Sequence, residues 1–247
     1  MPISPNQGST SGGTTITITG VNLAGATAVR FGSRTATITS NTPTSITVIS
    51  PAGCGVVDVN VTTAGGSSNS LSFFYISPPI AVSLDPDGGP TAGTNTVTIN
   101  GYGFSTATTV SFGSNSATPT VVSDSKLSVV VPTGSSSGSV DVTVTTTGGT
   151  TAPLSYAYID APTLVSLAPA SGSTSGGTAV TVNGTGLAST TGVTFGGITA
   201  SFGVLTSTML VAVAPPGTAG SVDVVVTTEG GSATLSDGFT YVSGPGI

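Results

Sequence analysis

Hydrophobic and polar residues alternate along this chain with a period of two, and they do so at the same places three times. In Thr15-Ile16-Thr17-Ile18-Thr19 the isoleucines take one face and the threonines the other. That period marks a strand with one face buried. The stretch returns as Thr96-Val97-Thr98-Ile99-Asn100 and as Ala179-Val180-Thr181-Val182-Asn183. Val29-Arg30-Phe31, Ile46-Thr47-Val48 and Val57-Asp58-Val59-Asn60-Val61 predict further short strands, and Phe73 and Tyr75 share a face on a closing one. The run from Gly8 to Gly13, Pro51-Ala52-Gly53 and Gly65-Gly66 are the turns and breaks between them. No stretch carries a helical period.

The other landmarks keep the same register. Pro5 returns as Pro86 and Pro169, and Phe31 as Phe112 and Phe195, in steps of 81 and 83 residues. Tyr75 returns as Tyr158 and Tyr241 in steps of 83. Asp58 returns as Asp141 and Asp223, flanked by inward sets Val140, Val142, Val144 and Val222, Val224, Val226. About seven short strands in a unit of ~82 residues, with frequent turn signals, predict a β-sandwich. The expected domains are 1–77, 78–160 and 161–247. Their joints, Ser77-Pro78-Pro79 and Asp160-Ala161-Pro162, are short and contain proline, so an extended rod is expected.

Composition narrows what such an array can do. Charged residues make up 5% of 247, and the only cations are Arg30, Arg34 and Lys126. Nucleic acid is excluded as a partner, because its binding rests on clustered Lys and Arg. The net charge of −6 supplies no steering field. Mean hydropathy is +0.42, yet no apolar run approaches the ~20 residues of a membrane helix, so no membrane insertion is expected. The start, Met-Pro-Ile-Ser-Pro, lacks the basic and apolar regions of a signal peptide. Cys54 stands alone and reads as a free cysteine of the buried type.

The repeated motif set has a family character. Each unit carries a Pro, a Gly-Gly-Thr turn or variant, a β-branched strand, Val-x-Phe-Gly, an alternating Val strand, Gly-Gly, and an aromatic-x-Tyr close. The β-branched strand ends in Gly184-Thr185-Gly186-Leu187 in repeat three, Gly20-Val21-Asn22-Leu23 in repeat one and Gly101-Tyr102-Gly103-Phe104 in repeat two. This resembles the IPT/TIG domain, and the resemblance spans nearly the whole chain. It implies an all-β chain of three tandem immunoglobulin-like β-sandwich domains. Domains of this kind occur in receptors, in DNA-binding factors and, as tandem arrays, in bacterial surface and secreted proteins. The DNA-binding version depends on basic loops absent here, and the low-charge, Thr/Ser/Gly-rich style looks like the bacterial arrays. The resemblance therefore implies a non-enzymatic structural or adhesive protein at the cell surface or outside the cell. Its partner would be a surface protein, a polysaccharide or another copy of itself. A spacer in a phage-like or secretion assembly is a further reading.

Candidate chemistry is sparse. With no His, one Cys and one Glu, Glu229, no Ser-His-Asp or Cys-His arrangement and no Cys/His zinc site can form. A paired-carboxylate hydrolase would need two Asp to converge across one cleft at a domain joint, whereas the Asp residues are spread over the three repeats. No cofactor is expected. The one metal reading is calcium at the first joint through Asp85 and Asp87, but these align with Ala168 and Ala170 in repeat three, so that site does not repeat. Asp58, Asp141 and Asp223 read as solvent-facing strand positions. Tyr102 and Phe104 are the candidates for sugar stacking, although Phe104 aligns with Leu23 and Leu187, where a core role is expected.

The ends suggest assembly. Ile80-Ala81-Val82-Ser83 and Thr163-Leu164-Val165-Ser166 lead into Leu84 and Leu167, whereas Ile3 is preceded only by Met1 and Pro2. A second copy placed after Ile247 would keep the 83-residue step. One expectation is that Gly244, Pro245, Gly246 and Ile247 supply a lead-in strand beside Ile3 of the next copy, giving filaments. The other is that the chain is cut from a longer array at a domain boundary.

Overall fold

In the computed structural model, which describes residues 1–244, the alternation becomes two sheets around a shared core in repeats one and three. The protein is nearly all β, in three repeated β-sandwich-like units. Two compact bodies account for the chain: residues 1–84 with 98–129 and 142–154, and residues 85–97 with 130–141 and 155–247. Repeat one lies in the first and repeat three in the second.

Repeat one shows the plan. One sheet has the order Ile3–Ser4, Thr15–Thr19, Ser45–Ile49, Thr37–Asn41. The other runs Gln7–Ser9, Leu71–Ile76, Val56–Thr63, Ala28–Phe31, Arg34–Thr35. All these pairings are antiparallel except Gln7–Ser9, which runs parallel to Leu71–Ile76. Repeat three copies it, with Thr163–Ala168, Ala179–Thr185, Met209–Val213 and Ser201–Thr206 in one sheet. Its second sheet has Ser171–Ser173, Gly231–Val242, Gly220–Thr228, Thr190–Phe195 and Ile198–Thr199. In repeat two, Thr109–Phe112 pairs in the first body with residues 142–145 of the strand Gly138–Thr146 and, on its other side, with Asn115–Ala117. In the second body Gly88–Pro90 runs parallel to Leu154–Ile159.

The sequence predicts one opening strand per repeat; there are two. The chain leaves one sheet at Pro5 and joins the other at Gln7, and it does the same around Pro86 and Pro169. Each of these prolines follows a cis peptide bond. Proline cannot donate to a ladder, so it falls where the strand changes partners. One short 3-10 turn, Leu187–Ser189, has no counterpart in the pattern.

Ile16, Ile18, Ile46, Val48, Val59 and Val61 form the core of repeat one with Phe31, Phe73 and Tyr75. Val180, Val182, Leu210, Val224 and Val226 with Phe195, Phe239 and Tyr241 form that of repeat three. Each fully buried large side chain is worth about 1.5–3 kcal/mol of transfer free energy. The aromatics meet edge to face: Phe31–Phe73 and Phe73–Tyr75 at 5.1 Å, and Phe195–Phe239 and Phe239–Tyr241 at 5.1 Å. The closing tyrosine also tethers a turn. Its hydroxyl donates to the carbonyl of Pro51 (2.7 Å), Pro132 (2.8 Å) or Pro215 (2.6 Å) in the three repeats. Burial pushes all three phenols above their ordinary pKa.

Candidate functional site

Tyr102 ends the strand Thr96–Tyr102 rather than standing on a loop, and it is 65% exposed. Phe104 is fully buried, as are Leu187 and, nearly, Leu23 at the same position. A ring with no exposed face cannot stack on a sugar, so Phe104 leaves the set of ligand candidates. Asp58, Asp141 and Asp223 are exposed between inward valines, and Asp223 accepts the N–H of Asp237 at 2.9 Å. Cys54 is exposed, against expectation. In Pro51-Ala52-Gly53-Cys54-Gly55 the inward position belongs to Gly53, where a Cβ would press into the Tyr75 ring, so the next side chain points outward.

Asp87 lines a cleft of about 300 Å³ with Pro86, Pro90 and Asn95 of its own repeat and Glu229 of repeat three. Asp85 is exposed and lies outside that lining. Among the described residues no three His, Cys, Asp or Glu side chains gather as a metal would require. Asp160, at the second joint, accepts hydrogen bonds from Ser137 Oγ at 2.6 Å and Thr91 Oγ1 at 2.9 Å. The Ser137 bond, then the Thr91 bond, hold its carboxyl below the ordinary carboxylate value. No helix among the described residues is long and apolar enough to cross a membrane.

What the structure builds twice is the joint. Gly148-Gly149 of repeat two sits on the segment that leaves repeat one: a Cβ on Gly148 would run into the Ser77 carbonyl, with Ile76 Cγ2 at 3.0 Å. The Cβ position of Gly149 is 3.6 Å from Pro78 and 3.7 Å from Ser9 Oγ. At the second joint a Cβ on Gly230 would run into the Asp160 carbonyl, with Ile159 Cγ2 at 2.9 Å, and that of Gly231 lies 3.5 Å from Ala161. Gly103 and Gly186 add a second point of approach, with Cβ positions 3.4 and 3.3 Å from Pro79 Cα and Pro162 Cα.

The sequence marks Gly65-Gly66 as a hairpin turn. The signal of a second role was in the pair itself. The turn needs positive φ at its second glycine, and Gly66, Gly149 and Gly231 have φ of 120, 129 and 127°. The first glycine has no such φ, so turn geometry does not demand it. Close approach of the preceding linker does.

This gives a direct expectation. Gly148→Ala forces the Ser77 carbonyl off its seat while leaving the turn conformation allowed. The Ser77-Pro78-Pro79 segment of the full chain is expected to become cleavable in limited proteolysis, where the parent chain resists. Equal cleavage of the two chains would show that the glycine does not seat the linker.

The sequence profile of the IPT/TIG domain matches residues 1–75, 79–158 and 162–242. No curated protein matches the chain. Among solved structures, the full extracellular region of plexin A4 is similar at 21% identity and TM-score 0.50. That match covers 99% of this chain and 24% of the plexin, so the chain spans about a quarter of its length. At that identity the likeness concerns the fold. FdeC, an Escherichia coli adhesin, is matched at 17% identity and TM-score 0.34, covering 95% of each chain. A Bacteroides ovatus surface glycan-binding protein in complex with a mixed-linkage heptasaccharide is matched at 15% identity and TM-score 0.32, covering 96% of this chain and 66% of that one.

Proposed function

This chain belongs to the IPT/TIG domain family, three times over, and on that premise we propose that it is a non-enzymatic structural and adhesive array at a cell surface or outside the cell. One observation carries the reading: both joints are built from the same contacts, a glycine pair seated on the linker backbone. A protein that repeats its joint as faithfully as its core is organised to hold units in series. The sequence supports it, since a chain without histidine carries no Ser-His-Asp or Cys-His arrangement.

The adhesive surface is polar and uncharged, rich in Thr and Ser, with single exposed apolar side chains such as Tyr102 and Val165. Such a surface suits polysaccharide hydroxyls or another protein better than a charged polymer. A second copy is the alternative partner.

The test is adhesion of beads coated with the full chain. They are expected to hold to polysaccharide-coated surfaces or to cohere with one another, and Tyr102→Ala is expected to weaken the polysaccharide arm several-fold. Beads that neither hold to a panel of polysaccharides nor cohere would overturn the reading.

A further inference from the structure

The four-stranded sheet of each repeat ends in a strand with one unpaired side: Thr37–Asn41, Thr120–Ser123 and Ser201–Thr206. An unpaired side is a template for a further strand, and proteins blunt it with polar or charged residues, proline or short length. The first edge is polar, with Thr37, Thr39, Ser40 and Asn41 exposed around a half-buried Ile38. The second exposes Val121 and Val122, but it has four residues, follows Pro119 and pairs its Ser123 with Lys126. The third has none of these guards. It is six residues long, reads Ser-Phe-Gly-Val-Leu-Thr, and lies in a stretch from Ala161 to Val222 that holds no charged residue. Its Val204 and Leu205 are 38 and 59% exposed. All three edges carry a bulge, so that device does not set them apart.

Gly203 stands in the middle of this third edge, and nothing inside the chain asks for it. Its φ is not in the left-handed region, and its Cβ position has nothing within 4 Å. The bulge lies beyond it, between Val204 and Thr206. Ser40 and Thr120 fill the same register place in the other two sheets, opposite Thr47 and Ser128 as Gly203 is opposite Val211. Glycine inside a strand weakens it and marks a place where another backbone comes close. The strand is also complementary to itself. Phe202 and Val204 are paired with Ala212 and Leu210, both buried, so the two share the core face, whereas Gly203 is on the outer face. Laid antiparallel on a copy of itself with the two Gly203 residues opposite, it sets Phe202 of each copy beside Val204 of the other on one face. Such aromatic and β-branched pairs across neighbouring strands are favourable. Glycine on the axis keeps identical side chains from meeting there, and no like charges face each other.

We propose that Ser201–Thr206 is a self-association edge, pairing antiparallel with the same strand of a second copy about a two-fold axis at Gly203. This rests on the second copy as partner in the reading above. The contact is isologous, so it closes at a dimer. Six residues a side bury far less than the ~1,600 Å² of a standard interface, so the dimer is weak and gains from crowding on a surface. The assembly contact expected between Gly244–Ile247 and Ile3 is a different one. Pro245, Gly246 and Ile247 lie outside the described residues, and Ile3 pairs with Ile18 and packs on the core of its own repeat.

The test is sedimentation velocity on the full chain over a concentration series up to about 1 mM, with hydrogen exchange on the same samples. The parent chain is expected to pass from monomer to dimer and stop there, and the amides of 201–206 are expected to slow as it does while those of 37–41 and 120–123 do not. Val204→Lys and Leu205→Lys, each adding the guard this edge lacks, are expected to stay monomeric. Val121→Lys, on the edge of repeat two, is expected to dimerise like the parent. Should Val204→Lys fail to fold, the more exposed Leu205→Lys carries the same decision. A parent chain that is monomeric throughout would overturn the second copy as partner together with this proposal. A parent chain that grows past the dimer, associates equally with either lysine on the third edge, or associates with exchange at 201–206 unchanged would overturn the edge pairing while self-association stands.

Discussion

Gly176→Ala is expected to cost repeat three about 3–5 kcal/mol. Gly176 has φ of 75°, in the left-handed region, where an L side chain costs about 1–2 kcal/mol. A Cβ there would also stand 2.6 Å from Pro216 N, 2.7 Å from Pro215 C and 2.9 Å from Ala214 O. All three are backbone atoms, and the last accepts the N–H of Gly177 at 2.9 Å, so nothing can turn aside cheaply. A unit of this size has a few to about ten kcal/mol in total, and the change takes a large share of it. The adjacent Gly177 is the control. Its φ is 83°, but its Cβ position has nothing within 4 Å. Thr94 occupies that place in repeat two with φ of 73°. Gly177→Ala is therefore expected to cost about 1–2 kcal/mol, the backbone share alone. Denaturant unfolding monitored by tyrosine fluorescence would compare them, and equal losses would show that the contact with Pro215 and Pro216 is not the cause.

Phe239→Ala should be comparably damaging, at about 3–5 kcal/mol. Phe239 is fully buried and meets both Phe195 and Tyr241 edge to face. Truncation leaves a cavity that two rings and a sheet cannot close. Repeat two shows which substitution the site accepts. There the residue is Tyr156, whose hydroxyl donates to Asn95 Oδ1 at 3.2 Å. The partner position in repeat three is Thr178, beside Phe239 across Gly172. Phe239→Tyr alone buries a hydroxyl beside a shorter partner and is expected to lose about 1–3 kcal/mol. Adding Thr178→Asn is expected to recover most of it. The same unfolding measurement on single and double variants decides, and strict additivity would count against the coupling.

The alternation in Thr15–Thr19 or Val57–Val61 was enough to assign faces, because a half-buried strand writes its burial into consecutive residues. The closing tyrosines were legible as core for the same reason. Contacts between segments far apart in the chain were not. Nothing local to Pro86 and Asp87 indicates that Glu229, more than a hundred residues later, shares their cleft. Cys54 misled because its type favours burial while its turn gives the inward place to Gly53. Phe104 was ambiguous until the backbone placed it with Leu23 and Leu187. The joints were hidden in a different way. Glycine announces a turn so strongly that its lack of a side chain, the property that matters at Gly148 and Gly230, went unread.

That property bears on how such a chain changes length. At both joints the receiving surface meets a main-chain carbonyl, of Ser77 in one and Asp160 in the other. The side chains differ and the fit does not. A duplicated repeat inserted by recombination thus meets both neighbours through contacts they already make, with no co-adapted partner to acquire.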